Sequence, residues 1–276
     1  MATGNANPLD PSHLVSPATD YETKIVLLGY HRMIDLLGRS ATASFLIPVG
    51  NLKRQVAGLP ESQSIRAKGF GDLMVQLDLN LFGAPAMKGL AQVARYEPKL
   101  TVDLLATFAL PIGEYDEKSS LNLGQNRWYG RIGAPIMYTI GPWVPDKRTT
   151  IEVLPAVWFF GENDEFRGVT LKNDPLLQLE GHLTRDFTRT FWASFDVAWF
   201  YGGTPEIGFV EGKKLRVPTA GLTVGFQVNE NLTFNASYSS TFDDSAPDDL
   251  KSDEIKLKLT YAWHPLVEAI KGMREH

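Results

Sequence analysis

Apolar and polar residues alternate with a period of two along most of this chain. In residues 71–81, Leu73, Val75, Leu77, Leu79 and Leu81 interleave with Asp72, Met74, Gln76, Asp78 and Asn80. Successive side chains of a strand point to opposite faces, so the segment has one oily face and one of carboxylates and amides. Comparable segments at about 24–34, 40–49, 70–82, 99–111, 126–140, 149–161, 175–187, 191–202, 215–228, 231–242 and 253–263 predict eleven strands. Short turns at 35–39, 188–190 and 229–230 alternate with long polar connections at 50–69, 112–125, 162–174, 203–214 and 243–252. The connection at 83–98 is longer than this rule wants and still falls on the short-turn side by parity.

Nearly every strand is two-faced, and neither a second set of apolar faces nor covering helices is available to bury the oily sides. That predicts an all-β, antiparallel transmembrane barrel with its apolar faces toward lipid and its polar faces inward. Alternating short and long connections are the order of such barrels, with short turns periplasmic and long loops external. Aromatic residues at strand ends, as in Trp158-Phe159-Phe160, Trp199-Phe200-Tyr201 and Tyr261 with Trp263, predict girdles at the two membrane interfaces.

Bulk composition hides this architecture, because 43% hydrophobic residues and a mean hydropathy of −0.14 are ordinary for a soluble protein. Apolar runs such as 25–28 and 157–160 fall far short of the ~20 residues of a spanning helix, whereas a barrel strand spans with about 10 alternating ones. No cysteine is present, which excludes disulfides and thiolate sites. A net charge of −5 leaves no footprint for nucleic acid. Met1-Ala2-Thr3-Gly4-Asn5 has neither the charged nor the apolar region of a signal peptide.

Several stretches go beyond pattern. They are Gly71-Asp72 with Asn80-Leu81-Phe82-Gly83-Ala84-Pro85-Ala86-Met87, then Leu110-Pro111-Ile112-Gly113-Glu114-Tyr115-Asp116, Asn122-Leu123-Gly124-Gln125-Asn126-Arg127-Trp128, and Phe159-Phe160 with Asn163-Asp164. Asp174-Pro175 with His182, and Trp192, Ser194 and Asp196 with Tyr201-Gly202-Gly203, complete the set. Together, from about residue 5 to 263, they resemble the outer-membrane channels named for the phenol meta-cleavage (MetA) degradation pathway. The resemblance implies a monomeric barrel of about 12 strands in the outer membrane of a Gram-negative bacterium. It also implies passive diffusion of small hydrophobic or aromatic solutes, with outer-membrane lipid and lipopolysaccharide as surroundings.

Eleven visible strands leave an even-numbered barrel one short. Pro8, Pro11 and Pro17 disfavour a strand in the first 23 residues, so 1–23 reads as external loop or remnant, with a first strand and a signal peptide expected ahead of Met1. The barrel is expected to end at 263, followed by a periplasmic tail at 264–276.

The inward faces are expected to carry the pore lining: Asp72, Asp78, Asp103, Arg127, Arg131, Glu152, Glu180, His182, Asp196, Lys256 and Lys258, with Asp186 beside them. So many ionisable groups need partners or water, since an unpaired buried charge costs several kcal/mol. Arg127 enters a strand from the 112–125 loop, and with Trp128 toward lipid it is placed to bind loop carbonyls or Asp116. The other readings are a lipid or ester hydrolase built on His182, Ser194 and Asp196, or a non-conducting structural barrel. The hydrolase lacks a Gly-x-Ser-x-Gly nucleophile elbow, so no enzyme is expected. The five histidines have no ligand spacing and no phosphate loop occurs, so neither a metal nor a cofactor is expected.

Overall fold

The structure, a computed structural model, describes residues 19–56, 64–86, 95–242 and 253–263. The 264–276 tail, the 243–252 connection and residues 1–18 lie outside the described residues.

The alternation forms one antiparallel wall. It begins with β1 (Thr19–Leu36) and β2 (Arg39–Val56), so strand structure starts at Thr19, inside the stretch read as loop. The two join through Leu37 and Gly38, whose positive φ of 55° and 76° form the tight hairpin turn matching strand twist. Next come β3 (Ile65–Phe70), β4 (Leu73–Phe82), β5 (Leu100–Leu110), β6 (Tyr129–Gly133), β7 (Ile136–Ile140) and β8 (Thr149–Phe160). From the connection after β8 come β9 (Asn163–Phe166) and β10 (Val169–Asn173), followed in the wall by β11 (Leu176–Asp186) and β12 (Phe191–Gly202). After β13 (Pro205–Ile207) and β14 (Val210–Glu211), the wall closes its run with β15 (Leu215–Gln227), β16 (Leu232–Thr241) and β17 (Asp253–Tyr261).

Two predicted strands are broken. Gly71-Asp72 separates β3, which pairs with the outer half of β2, from β4, which pairs with its inner half. Pro135, with no N–H to give, separates β6 from β7, and both pair with β5 and β8. Taking each broken pair as one strand, the described wall has eleven positions in the order β1-β2-β4-β5-β6-β8-β11-β12-β15-β16-β17. β1 and β17 are the two ends of this order, each paired on one side only among the described residues.

The long connections depart from expectation. Those at 50–69, 162–174 and 203–214 read as polar loops, yet β2 and β3 continue the wall outward, and β9, β10, β13 and β14 form a four-stranded sheet. Strands of two to six residues are too short to carry a decisive periodic signal, which is why alternation missed them.

The outer face is oily. Leu104, Phe108, Ile132, Leu177, Leu179, Phe195, Leu222 and Leu259 are exposed, each the kind of side chain whose removal from water is worth about 2 kcal/mol. The expected girdles split by strand parity. Phe159, Trp199, Tyr261 and Trp263 face outward, whereas Trp158 and Phe200 turn inward and are buried, Phe200 to 1% exposure.

Candidate functional site

At the outer mouth, the connection from Ile112 to Gln125 is tied down by one carboxylate. Asp72 occupies the break between β3 and β4, 1% exposed, and accepts Gly113 N–H at 2.9 Å and Gln125 N–H at 2.8 Å, one on each oxygen. It therefore latches both ends of the connection rather than sitting on the inward strand face. Glycine makes the approach close enough: a Cβ on Gly113 would lie 2.6 Å from the Gly71 carbonyl carbon and 2.7 Å from the Gly124 Cα. Burial pushes the Asp72 carboxyl above the ordinary carboxylate range, against the pull of its two backbone donors and of Arg127.

Arg127 supports the same connection from below. Its guanidinium donates to Gln125 Oε1 at 3.0 and 3.2 Å and to the Gly161 carbonyl at 3.4 Å, and it lies 5.1 Å from the Phe160 ring centroid. Burial to 3% exposure brings its pKa down to about 10, so the side chain stays charged at neutral pH. The carbonyl among its partners belongs to Gly161, after β8, and Asp116 is not one of them. Asp116 instead accepts Lys118 N–H at 2.9 Å and organises its own turn with Asn122. Trp128 faces outward against Phe108. Across the mouth, Asn163 donates to Tyr115 Oη and to the Gln125 carbonyl, both at 2.9 Å, and Arg54 donates to Ser120 at 2.6 Å. Burial raises the Tyr115 hydroxyl above its ordinary range.

Below this mouth lies an apolar layer that alternation did not foresee. Ala109, Tyr129, Trp158, Leu176, Phe200, Leu215 and Val217 pack together inside the wall, joined by Met74, Phe160 and Ala198. A smaller cluster of Leu105, Leu154 and Ala156 adjoins the same strands. The signal lay in uninterrupted apolar runs such as Val157-Trp158-Phe159-Phe160, which have no polar face to assign.

The middle of the interior is a polar chain. Arg131 stacks 4.8 Å over the Trp158 ring and donates to Gln178 Oε1 at 3.2 Å and Gln76 Oε1 at 3.4 Å. Trp158 Nε1–H also donates to Gln178 Oε1, at 2.6 Å, while the Gln178 amide donates to Glu180. His182 lies opposite Asp196 in the β11–β12 register, and its Nδ1–H donates to Asp196 Oδ1 at 2.7 Å. Ser194 donates to the same oxygen at 2.7 Å, and Thr223 to Oδ2 at 2.5 Å.

That geometry answers the hydrolase reading. The three residues do come together, but the carboxylate sits in the middle, bonded to both hydroxyl and imidazole. A serine nucleophile needs the imidazole between them, so that the ring takes the hydroxyl proton.

Farther down, Asp103 accepts from Asn80, and Asp78 lies on the same inner face, two residues along β4. Glu152 is half-buried opposite His182 in the β8–β11 register. Asp186 pairs with Arg148 at 3.0 Å. Lys256 and Lys258 are half-buried on the inward face of β17, with Lys256 3.6 Å from Glu254. The expected pore residues therefore divide between a mouth latch, a bonded chain along β6, β11 and β12, the carboxylates Asp78, Asp103 and Glu152 on β4, β5 and β8, and two lysines on the far wall. Among the described residues no cluster of metal-ligating side chains occurs.

The family described as "Putative MetA-pathway of phenol degradation" matches residues 6–259. The chain belongs to this family. Its fold is that of an outer-membrane β-barrel, as the solved crystal structure of an outer membrane channel from Pseudomonas putida F1 shows. That likeness has a TM-score of 0.70 at 16% identity, covering 90% of this chain and 85% of the other. Among curated proteins, none matches the chain. The elements quoted above as the family's marks, Gly71-Asp72, Gly113, Gly124-Gln125 and Arg127, are the ones that build the mouth latch.

Proposed function

We propose that this outer-membrane barrel is a monomeric channel, set among outer-membrane lipid and lipopolysaccharide, that passes small hydrophobic or aromatic solutes by diffusion. The observation that carries the reading is the inversion of faces: leucines and aromatics on the outside, and Asp78, Asp103, Glu180, His182, Asp196, Lys256 and Lys258 on the inside. Ionisable groups in this number are tolerable only beside partners or water, and a hydrated interior supplies both. The apolar layer under the mouth supports an oily cargo, because it offers such a solute contacts that bulk water does not. The mouth latch and this layer set the constriction, with the described long connections acting as its frame. The side-chain order at Asp196 argues for transport without covalent chemistry.

Planar-bilayer recording of the refolded protein tests the reading. Stable single-channel currents, with faster liposome uptake of phenol-sized aromatic solutes than of equally large sugars, are expected. A folded barrel that conducts nothing and speeds no solute overturns it.

A further inference from the structure

The outward face of the wall changes character where β12 and β15 reach their upper ends. Lower down it is oily, with Phe195, Val197 and Leu222 exposed beside Leu177 and Leu179 of β11. Trp199 and Tyr201 follow on the same face of β12, their ring centroids 5.4 Å apart. Arg216 of β15 stands opposite Tyr201 in the register and is exposed, while its chain neighbours Leu215 and Val217 are buried inside the wall. Lys214, also exposed, folds back onto that ring: Nζ donates to Tyr201 Oη at 2.8 Å and lies 4.8 Å from the ring centroid. One ammonium and one guanidinium therefore meet at a single tyrosine on the lipid-facing side. This end of the wall carries the long connections, which makes it the external end.

We propose that Lys214 and Arg216 form a docking site for a phosphate of the lipopolysaccharide headgroup on the outside of the barrel. Aromatic rings with a polar end settle at the edge of the hydrocarbon layer, so Trp199 and Tyr201 fix the height and place both cations at headgroup level. Charge then chooses the occupant. The outer leaflet presents phosphorylated sugar headgroups at that level, and a guanidinium fork matches two phosphate oxygens while an ammonium takes a third. Lys214 gives one of its three N–H groups to Tyr201 and keeps two for the anion. Holding a lysine against a ring forgoes rotamer freedom in advance, so the ammonium meets its partner already ordered. The acyl chains lie along the oily faces of Leu177, Leu179 and Leu222, contacts that a free phosphate ion lacks. The proposal rests on reading the barrel as set among lipopolysaccharide and deepens it by naming the atoms that hold the lipid; it is independent of what passes through the lumen.

The test is native mass spectrometry of the refolded full chain in detergent with three probes: lipid A, the phosphorylated anchor of lipopolysaccharide, its dephosphorylated form, and phosphatidylglycerol. The unmodified barrel is expected to bind lipid A at least about tenfold more tightly than the dephosphorylated form. In the folded double variant Lys214→Gln with Arg216→Gln that preference should fall below about threefold. Lys118→Gln, which removes a charge from the 112–125 connection, should keep it. Tyr201→Phe retains the ring and loses the Oη bond, so binding of lipid A should weaken by about threefold. Equal binding of the two lipid A forms by the unmodified protein overturns the proposal without any variant, and so does a preference that survives the double variant. Phosphatidylglycerol bound as tightly as lipid A overturns the assignment to lipopolysaccharide. Bilayer recording separates this site from the channel reading. A barrel that binds lipid A through these residues and carries no current leaves the site standing and removes the channel, whereas normal currents without phosphate-selective binding do the reverse.

Discussion

Two stretches of the same wall are built by different rules. From β5 to β15 the inward side chains are buried and mutually bonded, with Phe200, Trp158, Leu176 and Val217 packed above the Arg131–Gln178–Glu180 chain. From β16 through β17 to β1 the inward side chains are Ser237, Ser239, Lys256, Lys258 and His31, all half-buried or exposed, and β1 is exposed along most of its length. A barrel that only needed bracing would pack evenly. The asymmetry divides the interior between one wall that is packed and bonded and another whose inward side chains are more open to water.

The comparison can be broken most sharply at Phe200. Phe200→Ala is expected to cost about 4 kcal/mol in urea unfolding of the detergent-solubilised barrel, as for other large core truncations. Single-channel conductance should rise as the apolar layer opens. Ser237→Ala on the inward face of the opposite wall should cost about 1 kcal/mol or less, and equal losses at the two sites would erase the distinction.

Next comes the mouth. Asp72→Ala leaves two backbone N–H donors without their carboxylate, so a loss of about 3 kcal/mol is expected, together with faster proteolysis within 112–125. Arg127→Ala should alter conductance or gating more than Lys213→Ala, whose side chain is exposed on an outer connection. Silence of both in bilayer recordings would remove the mouth from the constriction.

Tyr115 gives a smaller, pH-dependent effect. Its hydroxyl accepts from Asn163 and donates to the Glu165 carbonyl, and its folded pKa lies above the ordinary value of 10.0. Below pH 10 both states hold the proton and stability is level. Above it the unfolded chain ionises first, so stability falls with rising pH until the folded hydroxyl titrates as well. Tyr115→Phe is expected to cost about 1 kcal/mol at neutral pH and to remove its share of that alkaline slope in urea titrations. The smallest effect on stability belongs to Lys256→Met, under about 0.5 kcal/mol. On the open wall it should still shift reversal potential toward cations, and an unchanged potential would place Lys256 off the path.

Much of the wall was legible because alternation is a local property. The eleven segments of period two correspond one to one with the eleven strand positions, although β1 starts five residues before and β2 ends seven residues beyond the predicted bounds, and the parity that sent Trp128 outward also turned Arg127 inward. His182 and Asp196 could be paired in advance, since a short turn at 188–190 fixes the register of the hairpin between them. The breaks were less visible. Pro135 is a printed warning, but Asp72 looked like one more polar strand residue until the backbone of a distant connection came to rest on it.

By itself, then, the sequence determined that this chain makes two-faced strands, that the oily faces turn outward, and which ionisable residues share the inner side. Side-chain period and desolvation cost decide those things strand by strand. Only the tertiary structure decided who meets whom. Arg131 reaches Gln76 and Gln178 across separate strands, the Asp196 carboxylate stands between serine and imidazole, and Glu180 faces His182 at 3.9 Å. Those meetings depend on curvature, register and the size of neighbouring side chains, quantities that a period of two does not contain.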